Sequence, residues 1–563
     1  MATLAASVIE TEAPQNEART GIAYERLMLV MLLFAGAIFL ISARLAQLQI
    51  FSGGDSGRTA AAATAPRADI VDRNGVVLAT TIQTWTIGIQ PANIIGDKTE
   101  LAARLNELMP EQSAAWYLDK LNSSGRFTYI KRRAEPALVQ AVNALGDPGI
   151  TFGREAERLY PQGALGGHVL GWVGVDGQVS GGVERTQADE LAVLAADGRT
   201  LELSIDTRVQ AAMEEELGRA MTSLNARGGT GIVLDVDTGE IVALASAPTF
   251  NPNAIRAEDQ SSLPNPSIEG VYELGSTFKP LTVAAALDAG VTTPGERWDA
   301  VSALMLGRHR IGDSHPAGRW LTVPEILTKS SNVATARIGE RLGGERLDHL
   351  FRSLHFHERP VIELHNRSRT LYPDRWDRGR ILTTSFGHSI AVTPLHLASA
   401  YAALVNGGVY RPTTLLKRTG DQIPAGERVF SAETSYKMRQ MLRLIVTNGS
   451  GRKAEAEGFR VGGKTGTAEK AGEGGAGYSR TVNVSTFAAA FPMDRPRYVV
   501  VVMLDSPQAN AETAGQTTAA WTAAPVVSRV ISRVGGLLGI IPSATQDIDL
   551  SGMRHLVEGA EAE

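Results

Sequence analysis

Three short clusters of hydroxyl and amine side chains carry the chemistry this chain can do. Ser276 and Lys279 lie in YELGSTFKPLTVAAALDAG (272–290), where a Gly-Ser pair runs into an apolar helical pattern. Residues three apart share a helix face, so the amine can meet the hydroxyl. A serine hydroxyl is a poor nucleophile without a base in hydrogen-bond reach. For Lys279 to be that base, a pKa of about 10.4 must drop by roughly 3 pH units, at a cost of about 4 kcal/mol. Burial and a neighbouring cation supply shifts of that size, so a second positive group is required. Gly275 permits a sharp turn into the helix, and Pro280 falls early enough to do little harm. At a helix N-terminus Ser276 would feel the positive end of the dipole and aim its own amide at the reaction centre. Alone the pair is weak evidence, because a capping serine followed by a solvated lysine reads the same. Ser450 and Lys453 repeat the spacing in TNGSGRKAEAEG, where the glycines predict a loop with no helical face to align them.

Two further stretches change the balance. LTKSSNVATARIGERL holds Ser330-Ser331-Asn332 at the start of a helical pattern; its plain reading is a serine N-cap. VGGKTGTAEK holds Lys464-Thr465-Gly466-Thr467, whose plain reading is a glycine-rich strand edge with a solvated lysine. Its other reading is a clamp: Gly466 lets a substrate backbone come close, while Lys464, Thr465 and Thr467 offer a cation and hydroxyls to a carboxylate.

Such groups need elements to hold them together. LELSIDTRVQAAMEEELGRAM predicts a strand, an N-capping Asp206 and an amphipathic helix, and opens a domain near Leu201. GIVLDVDTGEIVALASAP (231–248) reads as a hairpin across Asp237-Thr238-Gly239. VSTFAAAFP and RYVVVVMLDSP read as two more strands, and helical stretches such as 321–343 and 394–405 lie between the two strand groups. First and last segments therefore close one antiparallel sheet, an α+β fold, with 524–540 as a helix covering one face. Upstream, Asn74-Gly75 between apolar runs marks another hairpin.

The chain has 563 residues, too many for one core, with 43% hydrophobic and 20% charged residues and a net charge of −5. That balance gives no reason to expect nucleic acid. The absence of cysteine excludes disulfides, thiol catalysis and thiolate metal sites. Ten histidines form no ligand cluster; His355 and His357 in LHFHE read as structural, and neither metal nor cofactor is expected. From Leu27 to Ala43 the sequence is uncharged and apolar, bounded by Arg26 and Arg44. With the apolar run to Ile50 it predicts an uncleaved membrane anchor, because Ala43-Arg44-Leu45-Ala46 is a poor signal-cleavage site.

Ser-x-x-Lys, Ser-x-Asn and Lys-Thr-Gly, in that order, resemble the motif set of penicillin-binding proteins and serine β-lactamases. PRADIVDRNG, RLYPQGALGGHVLGWVG and GGVERTQADEL resemble the pedestal motifs of class B penicillin-binding proteins, with Arg158, Tyr160, Pro161, Gly171 and Glu184 matching. VLDVDTGEIVALASAPTFNPN, SFGHSIAVTPLHLASAYAALVNGGVYRP and LLGIIP look like the cell-division branch, the FtsI-like septal transpeptidases. Three positions depart from the family: Leu274 stands where proline is usual, and His388 and Ser389 replace Tyr or Gln and Gly.

The resemblance implies a tail (1–25), a transmembrane anchor (26–48), a linker (49–66), an elongated β-rich pedestal of dimerisation type (67–200), a transpeptidase domain (201–542) and a disordered tail (543–563). It implies D,D-transpeptidation of peptidoglycan stem peptides from the bacterial inner membrane, with the catalytic domain in the periplasm and β-lactams as covalent inhibitors. By the same resemblance Ser276 is the nucleophile, Lys279 the acylation base and Ser330 the proton relay. Asn332 would orient Lys279 and grip the substrate amide, Lys464, Thr465 and Thr467 would bind the terminal carboxylate, and the amides of Ser276 and Thr467 would form the oxyanion hole. A SEDS-type membrane glycosyltransferase and other divisome proteins are the implied partners. The alternatives are an elongation-specific relative, a β-lactamase, or a non-catalytic division scaffold that still binds penicillin.

Overall fold

A computed structural model describes residues 67–557 except 175–176, 308 and 472–477, with scattered helical positions between 28 and 39. The expected tail at 1–25, nearly all of the anchor and the linker lie outside the described residues. Among the described residues no helix is long and apolar enough to cross a membrane. The chain divides into two compact units, Met1–Ala65 with Val175–Gly177, and Pro66–Gly174 with Gln178–Glu563; the second carries both large sheets.

The first sheet contains β1 (Ile70–Val71), β2 (Val77–Ile89), β3 (Thr128–Ala134), β4 (Ile150–Leu159) and β5 (Leu201–Glu202), with β2 pairing β1, β3 and β4. Helices α1 (Lys98–Leu108), α2 (Ala114–Leu121) and α3 (Pro136–Asn143) close a small core on it, with Ile87, Ile89, Leu105, Tyr117, Leu121 and Val142 at its centre. This half of the pedestal is thus as helical as it is stranded. The β1–β2 turn forms where Asn74-Gly75 predicts it: Gly75 takes φ +85°, and Asp72 accepts from the amides of Asn74 and Val76 at 2.7 and 2.9 Å. β5, expected to open the catalytic domain, pairs in parallel with β1.

Asp72 also accepts from the amide and hydroxyl of Thr207 at 3.0 and 2.8 Å, and Asn74 donates to Asp206 at 3.0 Å. The hairpin therefore caps α4 (Thr207–Ser223), the first helix of the catalytic domain. Deeper in the pedestal, fully buried Glu184 accepts from Arg158 Nε at 2.6 Å and Arg67 Nε at 2.9 Å. Three residues far apart in sequence form one ion cluster, which pins the motif segments carrying Arg158 and Glu184 to the start of the domain.

The second sheet is antiparallel throughout, in the order β8 (Gly462–Ala471), β9 (Tyr478–Phe491), β10 (Tyr498–Asp505), β6 (Gly228–Asp235), β7 (Ile241–Ala247). Alternate residues of its strands enter different cores. Val500, Val502 and Leu504 join Phe487 and Val233 beneath α4 and α10 (Ala523–Val534); Val499, Val501 and Met503 join Ile232 and Leu234 on the other side. Burial on both faces explains why RYVVVVMLD shows no polar alternation. The opposite face carries α5 (Lys279–Asp288), α6 (Val323–Lys329), α7 (Asn332–Leu342), α8 (Pro394–Val405) and α9 (Ala432–Asn448).

The expectation of a disordered tail from residue 543 is corrected. Ile548, Met553 and Val557 are buried in the main core, and Asp547 pairs with Arg443 at 2.7 Å. Acidic composition concealed three apolar residues spaced to reach one surface. Residues 558–563 lie outside the described ones.

Candidate active site

Ser276 sits on a tight 3-10 turn, Gly275–Phe278, that feeds directly into α5 with Pro280 in its first turn. Proline costs little there, since those amides have no intrahelical partner. Thr277 braces the turn: its hydroxyl donates to the Leu274 carbonyl at 2.9 Å, and its own carbonyl accepts from Tyr401 at 2.8 Å. Phe278 is fully buried against Phe351 and Phe356. Ser276 itself is half-buried, and among the described residues no hydrogen bond joins its hydroxyl to Lys279, whose amine turns to Ser330.

Two glycines let other segments close on this turn. A Cβ on Gly387, which has φ +84°, would stand 2.1 Å from the Gly275 carbonyl oxygen. One on Gly466 would stand 2.4 Å from the Leu274 carbonyl oxygen. On the side its missing side chain would take, Gly466 makes room for the nucleophile's own turn.

Ser330 ends α6 with φ +60°, a left-handed conformation that is costly for a residue with a Cβ. The reversal lets α7 begin at once, with Ser331 as its N-cap and the hydroxyl accepting from Ala334 N at 3.1 Å. Lys279 Nζ donates to the Ser330 carbonyl and, at 3.0 Å, to its hydroxyl. From the other side Lys464 Nζ donates to the same hydroxyl at 3.0 Å, and to the Thr465 carbonyl and hydroxyl at 3.0 and 3.1 Å. Both lysines are fully buried. Burial, reinforced by the charge of Lys464, holds the Lys279 amine well below its ordinary range, and Asp313 opposes this. Burial also pushes Lys464 down to about 7. The second cation that the Ser-x-x-Lys spacing demands is Lys464.

Asn332 stands apart from this cluster. Its side-chain amide donates to the Gly312 carbonyl at 3.2 Å, and no hydrogen bond joins it to Lys279 among the described residues. The residue missed in the sequence is Asp313. Its carboxylate accepts from Ser331 Oγ at 2.6 Å and from the amides of Asn332 and Val333 at 2.5 and 3.0 Å, so it caps α7 and fixes the Ser-Ser-Asn segment. RIGDSHPAG gave no signal for it, because the partner lies across a loop.

Thr465 and Thr467 are both held from outside the groove. Thr467 Oγ1 accepts from the amide of Ala519 at 3.0 Å. Thr465 Oγ1 lies 3.0 Å from Ser450 Oγ, so the second Ser-x-x-Lys segment, read as a loop with no helical face to align its pair, touches Thr465. The departures from the family pattern also take their places. Leu274 has φ −90° and is buried, and Ser389, at φ +61°, donates its amide to Glu273 at 2.8 Å. His388 is pushed down by burial and by nearby Lys279, with Glu273 opposing. His355 stacks on Tyr410 with ring centroids 4.5 Å apart and pairs with Glu358 at 3.3 Å.

A hydroxyl between two buried amines, in a domain whose Ser276 stands on a helix-entry turn one residue ahead of the Thr277 brace, is a set of groups suited to acyl transfer through a serine ester. The family model for the penicillin-binding protein transpeptidase domain matches residues 229–528. The chain belongs to the penicillin-binding protein transpeptidase family. Ahead of that domain this penicillin-binding protein carries a match to the penicillin-binding protein dimerisation domain over residues 62–200, which gives it the class B arrangement. It is 38% identical over 524 residues to the probable peptidoglycan D,D-transpeptidase FtsI of Caulobacter vibrioides, covering 92% of this chain and 89% of that protein. It is 30% identical over 512 residues to the peptidoglycan D,D-transpeptidase FtsI of Escherichia coli K12, covering 85% and 84%. Among solved structures, penicillin-binding protein 3 of Mycobacterium tuberculosis complexed with ampicillin superposes with a TM-score of 0.67 at 26% identity, over 86% of this chain and 99% of that one.

Proposed function

We propose that this penicillin-binding protein is a serine D,D-transpeptidase that cross-links peptidoglycan stem peptides at the division septum and is acylated by β-lactams. The observation carrying most weight is the Ser330 hydroxyl, which accepts hydrogen bonds from both buried lysines at 3.0 Å. Neutral Lys279 takes the proton of Ser276 as its oxygen bonds to the carbonyl carbon of the penultimate D-Ala. The oxyanion is met by the amides of Ser276 and Thr467, each donor contributing about 3 to 4 kcal/mol in comparable sites. The carbon–nitrogen bond then breaks, and the leaving D-Ala amine receives its proton by way of Ser330 from the lysine pair. An acceptor amine attacks the ester, forms the new peptide bond and returns the proton to Ser276. Thr465, Thr467 and Lys464 bind the donor's terminal carboxylate, while Asn332 contacts the substrate amide from the α7 side.

Peptidoglycan lies outside the cytoplasmic membrane, and the uncharged stretch 27–43 supplies an anchor, so we assign the catalytic unit to the periplasmic side. The likeness to FtsI proteins supports septal work beside a membrane glycosyltransferase and other division proteins. The test is labelling with fluorescent penicillin. Wild-type protein should form a stable covalent adduct and Ser276→Ala should form none; labelling that survives in the variant overturns the assignment of the nucleophile.

A further inference from the structure

We infer that Ser450 is a positioning residue that turns the Thr465 hydroxyl toward the substrate carboxylate; this rests on the transpeptidase assignment above. Ser450 and Lys453 belong to the loop after α9, whose glycines predicted no role. The structure sets the Ser450 hydroxyl 3.0 Å from Thr465 Oγ1, at the end of an unbroken series of polar contacts. Lys279 reaches Ser330, Ser330 meets Lys464, Lys464 donates to Thr465, and Thr465 meets Ser450. The same loop is fastened to the other partners of the site. Its Ser450 amide donates to the Thr328 carbonyl at 3.4 Å, two residues before Ser330. Lys453 lies over the Trp521 ring at 3.9 Å, two residues from the amide that donates to Thr467.

A hydroxyl has one proton and two lone pairs. The Lys464 amine fills one lone pair of Thr465; the contact with Ser450 can run in either direction, and with Ser450 as its donor it fills the other. The Thr465 proton is then left for a group in the groove. Thr467 is treated alike, with the Ala519 amide occupying its oxygen. Both threonines become committed donors, which suits an anion and penalises a neutral group at the same place. Without Ser450 the Thr465 hydroxyl keeps only the Lys464 contact, and part of its orientation toward a carboxylate is lost.

The measurement compares second-order acylation rate constants for benzylpenicillin and its methyl ester, which lacks the anionic carboxylate. In Ser450→Ala the acid-to-ester ratio should fall about tenfold, the worth of one hydrogen bond to a charged acceptor. Ser450→Thr, which keeps the hydroxyl, should restore the ratio. An equal loss for both compounds, or an unchanged ratio, overturns the inference and leaves the transpeptidase assignment standing. Failure of the wild-type protein to be acylated at all overturns both. Should Ser450→Ala not fold, Ser450→Gly suits this glycine-flanked loop and reads the same ratio.

Discussion

At the scale of single residues, the two amines facing Ser330 control when the site can work. Lys279 must be neutral to accept a proton, so acylation rises with pH through its titration. Lys464 pushes that titration down and Asp313 pulls it up. The residual acylation of Lys464→Ala should therefore show its acidic limb at higher pH, and Asp313→Asn at lower pH. Rate profiles of the two variants that move in the same direction would contradict this electrostatic account. How far the residues were legible follows from locality. Ser276 and Lys279 share one turn, and Lys464 and Thr465 share one strand, so short spacing reveals them. Asp313 and Ser450 act across loops on partners at Ser331 and Thr465, and no local pattern encodes such contacts. Asn332 was named by its motif, yet its side chain answers to Gly312. Glycine at 466 reads as a point of close approach, and the sequence does not show that the nucleophile's own turn is one of the segments that comes close.

At the scale of elements, the nucleophile's turn is a junction of three segments. Gly387 N-terminal to α8 and Gly466 on β8 both lie against it, and neither has room for a side chain. Gly387→Ala would combine a left-handed backbone with a carbonyl contact at 2.1 Å. Strain of a few kcal/mol in such a place is enough to displace the turn. Acylation should slow by about a hundredfold or more while most of the fold survives, since a displacement of about 1 Å costs that much in catalysis. Circular dichroism melts alongside penicillin kinetics check this; a normal rate would show that the turn adapts. Strands and the long helices were readable because their apolar residues recur at the right period. The parallel pairing of β5 with β1 was not, since partner choice depends on residues more than a hundred positions away.

At the scale of the whole molecule, the pedestal and the catalytic domain are not loosely hinged. Ile70, Leu78, Tyr160 and Leu191 share a core with Leu234, Phe278 and Ile326, and Asp72 caps α4. The end of the chain is equally integrated. Leu556 O accepts from the Thr322 hydroxyl at 2.6 Å at the head of α6, and Asp549 O accepts from Gln440 at 2.6 Å. Deleting residues 544–563 removes the burial of Ile548, Met553 and Val557, a loss of about 3 to 6 kcal/mol. A lower melting temperature should come with slower acylation, because α6 delivers Ser330; an unaltered melting curve would show the segment to be dispensable. This attachment also makes the loop ahead of residue 547 a place where a single cut would matter. A protease nick there would free the strap that braces the helix presenting the relay hydroxyl, and leave every motif intact.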